Sequence, residues 1–259
     1  MQSDLSSSTR RLLFFFFFIS GFCSLLYQVV WTRLAFAAFG IITPVLSVVL
    51  SVFMLGLGVG SWLGGRWAAP LGRASRLSTG VFYGLTELVI GLGAYAVPKL
   101  FAVGEKILLS AGQSNSIHYL FFSAVVLAIS ILPWCLFMGA TFPLAMAFLR
   151  EQPRQDSESF SYLYLANVLG AMSGAILTAV VFVEAFGFHQ TLHLAAIANF
   201  SVAAAAIFLG LRQGPAAAAA GPAPTALVRG GEAGLAKWVL FSTGFCAMAM
   251  EVAWTRAFT

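Results

Sequence analysis

Charged residues are so sparse along this chain that they divide it into long apolar runs. Between Arg11 and Arg33 lie 21 uncharged positions, and from Leu34 to Gly65 another 32. A helix rises 1.5 Å per residue and the hydrocarbon layer of a bilayer is about 30 Å thick, so about 20 apolar residues make one crossing. The first run is therefore one span. The second is too long for one upright helix, and Gly40 with Pro44 supplies a turn that leaves a second span at about 43–67. Later runs predict spans at about 78–97, 117–148, 160–183, 190–211 and 236–257. Pro133 and Pro143 interrupt the fourth, which predicts a kink or a separate short final helix.

Composition agrees with this pattern. The chain is 60% hydrophobic and 9% charged, with a mean hydropathy of +0.91, and has too little polar surface for a soluble domain of its length. An all-α, polytopic membrane protein is expected, with the lipid bilayer as its first partner. The formal charge of +5 does not point to nucleic acid, because the basic residues are scattered between apolar runs and form no single face. Their placement is informative in another way. Arg10, Arg11, Arg66, Arg73, Arg76, Arg150, Arg154, Arg212, Arg229 and Lys237 fall on one side of the predicted spans, and only Lys99, Lys106, Arg33 and Arg256 on the other. Positive charge collects in cytoplasmic loops, so the N-terminus is expected in the cytoplasm of a bacterial-type inner membrane. The opening MQSDLSSSTRR and the apolar run after it resemble a signal peptide, but that run is too long and has no A-x-A-like cleavage site, so it is expected to remain as the first helix. Cys23, Cys135 and Cys246 all sit in apolar runs, where a thiol acts as a small hydrophobe; neither a disulfide nor a cofactor is expected.

The chain also repeats itself. Residues 21–33 read GFCSLLYQVVWTR and residues 244–256 read GFCAMAMEVAWTR, identical at seven of thirteen positions. Six predicted spans separate the two copies, so both face the same way, as a parallel duplication of six-helix units requires. Between them, residues 213–234 are rich in Pro, Gly and Ala and read as a flexible linker. The expected organisation is a cytoplasmic tail over 1–11, a six-helix transmembrane unit over 12–212, a cytoplasmic linker over 213–234, and over 235–259 the first helix of a second, truncated repeat.

GFCSLLYQVVWTRLAF, GLGVGSWLGGRWA (56–68), LTELVIGLGAY (85–95), LPWCLFMGATFPLAMAFL (132–149) and YLANVLGAMSGAILTAVVFVEAFG (164–187) together resemble the membrane portion of the spermidine synthase-like membrane proteins, a family described as fused major facilitator/spermidine synthase proteins. The resemblance extends over nearly all of residues 12–259. It implies a major facilitator-like unit and, in the family, a soluble aminopropyltransferase-type domain that is not in this sequence. Without that domain's glycine-rich nucleoside loop and acidic residues, no aminopropyltransferase activity is expected of the chain. Gly56-Leu57-Gly58-Val59-Gly60 lies inside a span; Gly56, Gly60 and Gly64 read instead as a small-residue stripe for close helix packing, repeated in the fifth span by Ala166, Gly170 and Gly174. That correspondence would suit an inverted 3+3 repeat. The resemblance also likens residues 66–73 to the major facilitator loop between spans two and three, where a basic residue helps to gate helix movement, although the usual acid is missing here.

Chemistry is expected at few positions. Glu87 is the sharpest signal, because a carboxylate inside a span is costly unless protonated, paired or facing a hydrated cavity. Gln28 and Glu251 hold equivalent places in the two motif copies, and with Asn167 these four residues form the expected substrate-binding set. Asn167 and Asn199 are also suited to hydrogen bonds across helices. Arg33 and Arg256 read as interface anchors with Trp31 and Trp254 beside them. His189 and His193 lie one turn apart, but with no third ligand in the pattern no metal is expected. The leading expectation is a transporter-like protein that binds or moves a small cationic, polyamine-like solute. Two alternatives stand beside it: an accessory subunit of a larger membrane complex or homo-oligomer, and the membrane anchor of an aminopropyltransferase.

Overall fold

The computed structural model describes residues 2–40, 43–110, 116–151, 159–212 and 230–258. Among them the chain is helical, with no strand: α1 (Gln2–Phe39), α2 (Thr43–Ser75), α3 (Thr79–Ser110), α4 (Ser116–Arg150), α5 (Ser159–Leu177), a π-helical turn (Thr178–Phe182), α6 (Val183–Arg212) and α7 (Gly230–Phe258). Two compact units result, 1–217 and 218–259. Five stretches are long and apolar enough to cross a membrane: Arg11–Phe39, Thr43–Ser75, Thr79–Ser110, Ile117–Arg150 and Ser161–Arg212.

The last of these contains 52 residues, about 78 Å if straight, more than twice the hydrocarbon thickness. It is not straight. Gly187 leaves the helical region with φ +70° and ψ 176°, a backbone state open mainly to glycine. Beyond it the Thr191 hydroxyl donates both to the Gly187 carbonyl at 2.7 Å and to the Phe182 carbonyl at 3.0 Å. Nine residues of straight helix would separate Thr191 and Phe182 by about 13 Å, so the chain turns sharply at Gly187, inside α6. Gly40 ends α1 in a similar way, with φ +95° and its N–H donating to the Phe36 carbonyl at 3.0 Å, a left-handed C-terminal cap.

Several boundaries differ from expectation. Gln2 already belongs to α1, so the residues expected as a cytoplasmic tail are helical and continuous with the stretch that begins at Arg11. The α2 helix runs on to Ser75 with Pro70 inside it, so residues 66–73 are helical and the connection to α3 shrinks to residues 76–78. In the same way α3 continues past Pro98 to Ser110, and α4 passes through both Pro133 and Pro143 without dividing. A proline in a packed membrane helix is tolerated because neighbouring helices support the region around the lost hydrogen bond, and the Pro143 ring sits against Gly64 of α2. Of the expected linker, residues 213–229 lie outside the described residues, and residues 230–234 are the first turn of α7.

Within the first unit backbone comes nearest to backbone in two seams, α2 on α4 and α1 on α5. In the first, Gly56 sits on Cys135, Gly60 on the Leu136 carbonyl and Gly64 on Ala140 and Pro143, while Gly139 answers from α4 onto Leu57. In the second, Gly170 sits on the Phe18 carbonyl and Gly174 on the Phe22 carbonyl, while Gly21 answers from α1 onto Asn167. The seams are copies of each other. Leu57, Gly60 and Gly64 correspond to Asn167, Gly170 and Gly174, and Leu136, Gly139 and Ala140 to Phe18, Gly21 and Phe22, each at a constant offset along the sequence. At each of these glycines a Cβ would collide with its neighbour, which is why backbone meets backbone here.

The α3 helix runs beside α6 in the opposite direction: Val81 meets Gly210, Gly91 meets Phe200, and Tyr95 meets His193 with ring centroids 5.2 Å apart. Two apolar clusters fill the unit. One is built around Tyr27, Trp31, Phe53 and Phe101, the other around Phe17, Tyr83 and Phe148.

Candidate functional site

Glu87 lies where α1, α3 and α6 meet, with none of its surface exposed. The local sequence explains how a short amide reaches it. Gly84 and Gly91, one turn to either side of Glu87 on α3, face the Ala203 carbonyl and the Phe200 ring of α6, and a Cβ at either position would push the helices apart. At that spacing Asn199 Nδ2 donates to Glu87 Oε2 at 2.6 Å. The amide oxygen of the same residue accepts from the Tyr27 hydroxyl at 3.0 Å. A single amide thus ties α3 and α1 to α6, using its donor on one and its acceptor on the other.

Ser20 of α1 and Tyr83 of α3 also lie beside the carboxylate. Neither Glu87 Oε1 nor the Tyr83 hydroxyl completes a hydrogen bond among the described residues. Tyr27 is fixed from its other side by Trp31, whose ring stacks on it at 5.1 Å and 21°, and Cys23 packs its sulfur 3.7 Å from the Ala195 carbonyl. The junction is therefore a carboxylate whose neighbours are an amide, hydroxyls and aromatic rings. Such a group can accept a proton or pair with a small cation, and its hydrogen bonds tie three helices together.

Of the four expected binding residues, the structure puts Glu87 at the centre of this junction. Gln28 is buried on α1 beside Tyr27, only 7% exposed. Asn167 stands in the α1–α5 seam against Gly21. Glu251 belongs to α7, in the second unit. Sequence reasoning selected Asn199 correctly as a residue for bonding across helices, but missed Tyr27, Ser20 and Tyr83. Trp31 requires a correction: it is no interface anchor, since it is fully buried under Tyr27.

A second polar contact was invisible in the sequence. Glu151, just past the end of α4, accepts from the Thr79 N–H at 2.9 Å, the Thr79 hydroxyl at 2.7 Å and the Ser78 hydroxyl at 2.5 Å. It caps the start of α3, where backbone N–H groups have no partner within the helix and negative charge is favoured. Glu151 thus ties the end of α4 to the α2–α3 connection. No family model, curated protein or solved structure matches the chain.

Proposed function

We propose that the first unit is a transporter-like membrane module that binds or moves a small cationic solute of the polyamine class. The observation that carries this reading is the pair of mirrored glycine seams, α2 on α4 and α1 on α5. Mirrored three-helix sets are how many transporter halves are built, with substrate groups near the middle of the membrane, and the resemblance to major facilitator/spermidine synthase proteins points the same way. On this reading Glu87 is the solute's counter-charge. A cation reaches it when α3 or α6 shifts, and Tyr27 and Asn199 re-form the closed junction when it leaves. The N-terminus and the arginine-rich connections then face the cytoplasm.

An accessory role in a larger complex or homo-oligomer is the second reading, favoured by the complete enclosure of Glu87. One experiment separates the two. Spermidine, putrescine and, as an uncharged control, 1,4-butanediol are added to the detergent-purified protein during thermal unfolding. Spermidine and putrescine should raise the midpoint by several degrees and the diol should not. Glu87→Gln, which can still accept from Asn199, should fold and lose that response; a response unchanged in Glu87→Gln removes Glu87 from the solute site.

A further inference from the structure

Tyr83 and Glu87 stand four residues apart on α3, on one face of the helix. The Tyr83 ring is fully buried in the apolar cluster of Phe17 and Phe148, its centroid 6.4 Å from that of Phe17 on α1. Anchored there, it holds its hydroxyl beside the Glu87 carboxylate. Ser20 of α1, also buried, lies beside both groups.

Asn199 takes Glu87 Oε2, but Glu87 Oε1 and the Tyr83 hydroxyl each lack a hydrogen-bond partner among the described residues. Native proteins rarely leave a buried polar atom unpaired, because its lost hydration is then uncompensated. Two such atoms side by side point to a ligand that carries hydrogen-bond donors. The protein itself offers no positive charge at this depth: among the described residues no Lys, Arg or His is buried.

We propose that Tyr83 and Ser20 make the Glu87 site selective for a primary ammonium group, an inference that rests on the solute-binding role given to Glu87 above. A primary ammonium has three N–H donors and no acceptor. Once α3 or α6 shifts to admit it, those donors match Glu87 Oε1 and the hydroxyl oxygens of Tyr83 and Ser20. A quaternary ammonium has the same charge but no N–H, so it would leave both hydroxyls unpaired, and a site built to hydrogen-bond its ligand discriminates against analogues that do so. Stability and binding should also separate at Tyr83. Its hydroxyl has no partner in this structure, so Tyr83→Phe removes no hydrogen bond from the fold while it removes one from the bound amine.

The test follows the unfolding midpoint of the detergent-purified full chain over concentration series of putrescine and of 1,4-bis(trimethylammonio)butane, which has the same carbon chain and the same charge. The midpoints give apparent dissociation constants. Putrescine should bind at least about tenfold more tightly than the quaternary analogue, the factor that one hydrogen bond to a charged group supplies. Without ligand, Tyr83→Phe should unfold at the natural midpoint or above it. The same variant should bind putrescine about tenfold more weakly and the quaternary analogue unchanged, and Ser20→Ala should lower the preference in the same direction. Equal constants for the two amines overturn this inference and leave the cation site standing, whereas no shift with either amine refutes the cation site itself. A preference undiminished in Tyr83→Phe, or a midpoint lowered in that variant without ligand, makes the tyrosine structural and also overturns the inference.

Discussion

Alanine at Gly60 or Gly170 lowers the stability of the first unit by about 1–3 kcal/mol, the usual cost of forcing a methyl group into a packed interior. At both positions the added Cβ meets a backbone carbonyl of the facing helix, Leu136 for Gly60 and Phe18 for Gly170, and a carbonyl cannot swing aside as the tip of a side chain can. The whole helix must move, which loosens the rest of its seam. Two controls come from the same helix as Gly60. Gly58 has nothing within 4 Å of its would-be Cβ and Gly65 meets only Pro143 at 4.0 Å, so alanine there is expected to be neutral or to stabilise by up to about 1 kcal/mol through helix propensity. Unfolding midpoints in detergent over a denaturant series read all four variants. Equal losses at Gly60 and Gly170, with none at Gly58 and Gly65, are expected of mirrored seams; a loss at only one of the pair would mean that the seams do not bear equivalent load.

The second large effect belongs to the junction. Asn199→Ala removes at once the donor to Glu87 and the acceptor from Tyr27. A hydrogen bond to a charged group contributes about 1.5–3 kcal/mol in soluble proteins, whereas interhelical hydrogen bonds in membranes average only about 0.6 and reach about 1.7 kcal/mol. Full burial of Glu87 places this bond at the upper end of the membrane range. A double-mutant cycle between Asn199→Ala and Glu87→Ala, which removes the acceptor, followed by unfolding, should therefore give a coupling of about 1–2 kcal/mol. Additive effects would show that the 2.6 Å contact contributes nothing specific to holding α3 on α6.

Much of this arrangement is legible in the sequence because membrane helices obey simple constraints. Runs between charges locate the apolar stretches, Gly40 marks the first turn, and glycines four residues apart mark α2 and α5 as close-packing helices. Glu87 stands out since a carboxylate in hydrocarbon needs a partner, and Asn199 stands out as a suitable one. What escapes is whatever depends on helix rotation or on the ends. Gln28 drew notice through its counterpart Glu251, yet its neighbour Tyr27 enters the junction, a difference of 100° around α1 that composition does not encode. Trp31 looks like an interface anchor beside Arg33 until packing buries it. The α2 and α3 helices continue beyond the expected span limits at residues 67 and 97, because hydropathy reports where the apolar stretch stops and the backbone hydrogen bonds continue past it. The Glu151 cap joins residues more than 70 positions apart, and no local pattern announces it.

Uptake of radiolabelled spermidine into proteoliposomes containing the purified chain tests the proposed role most directly. Accumulation well above that of protein-free liposomes, reduced to their level by Glu87→Gln and competed by unlabelled putrescine, is the expected result. Uptake by the natural protein no greater than that of empty liposomes, with no change in its unfolding midpoint at any polyamine concentration, would contradict a module built to carry a cation past Glu87.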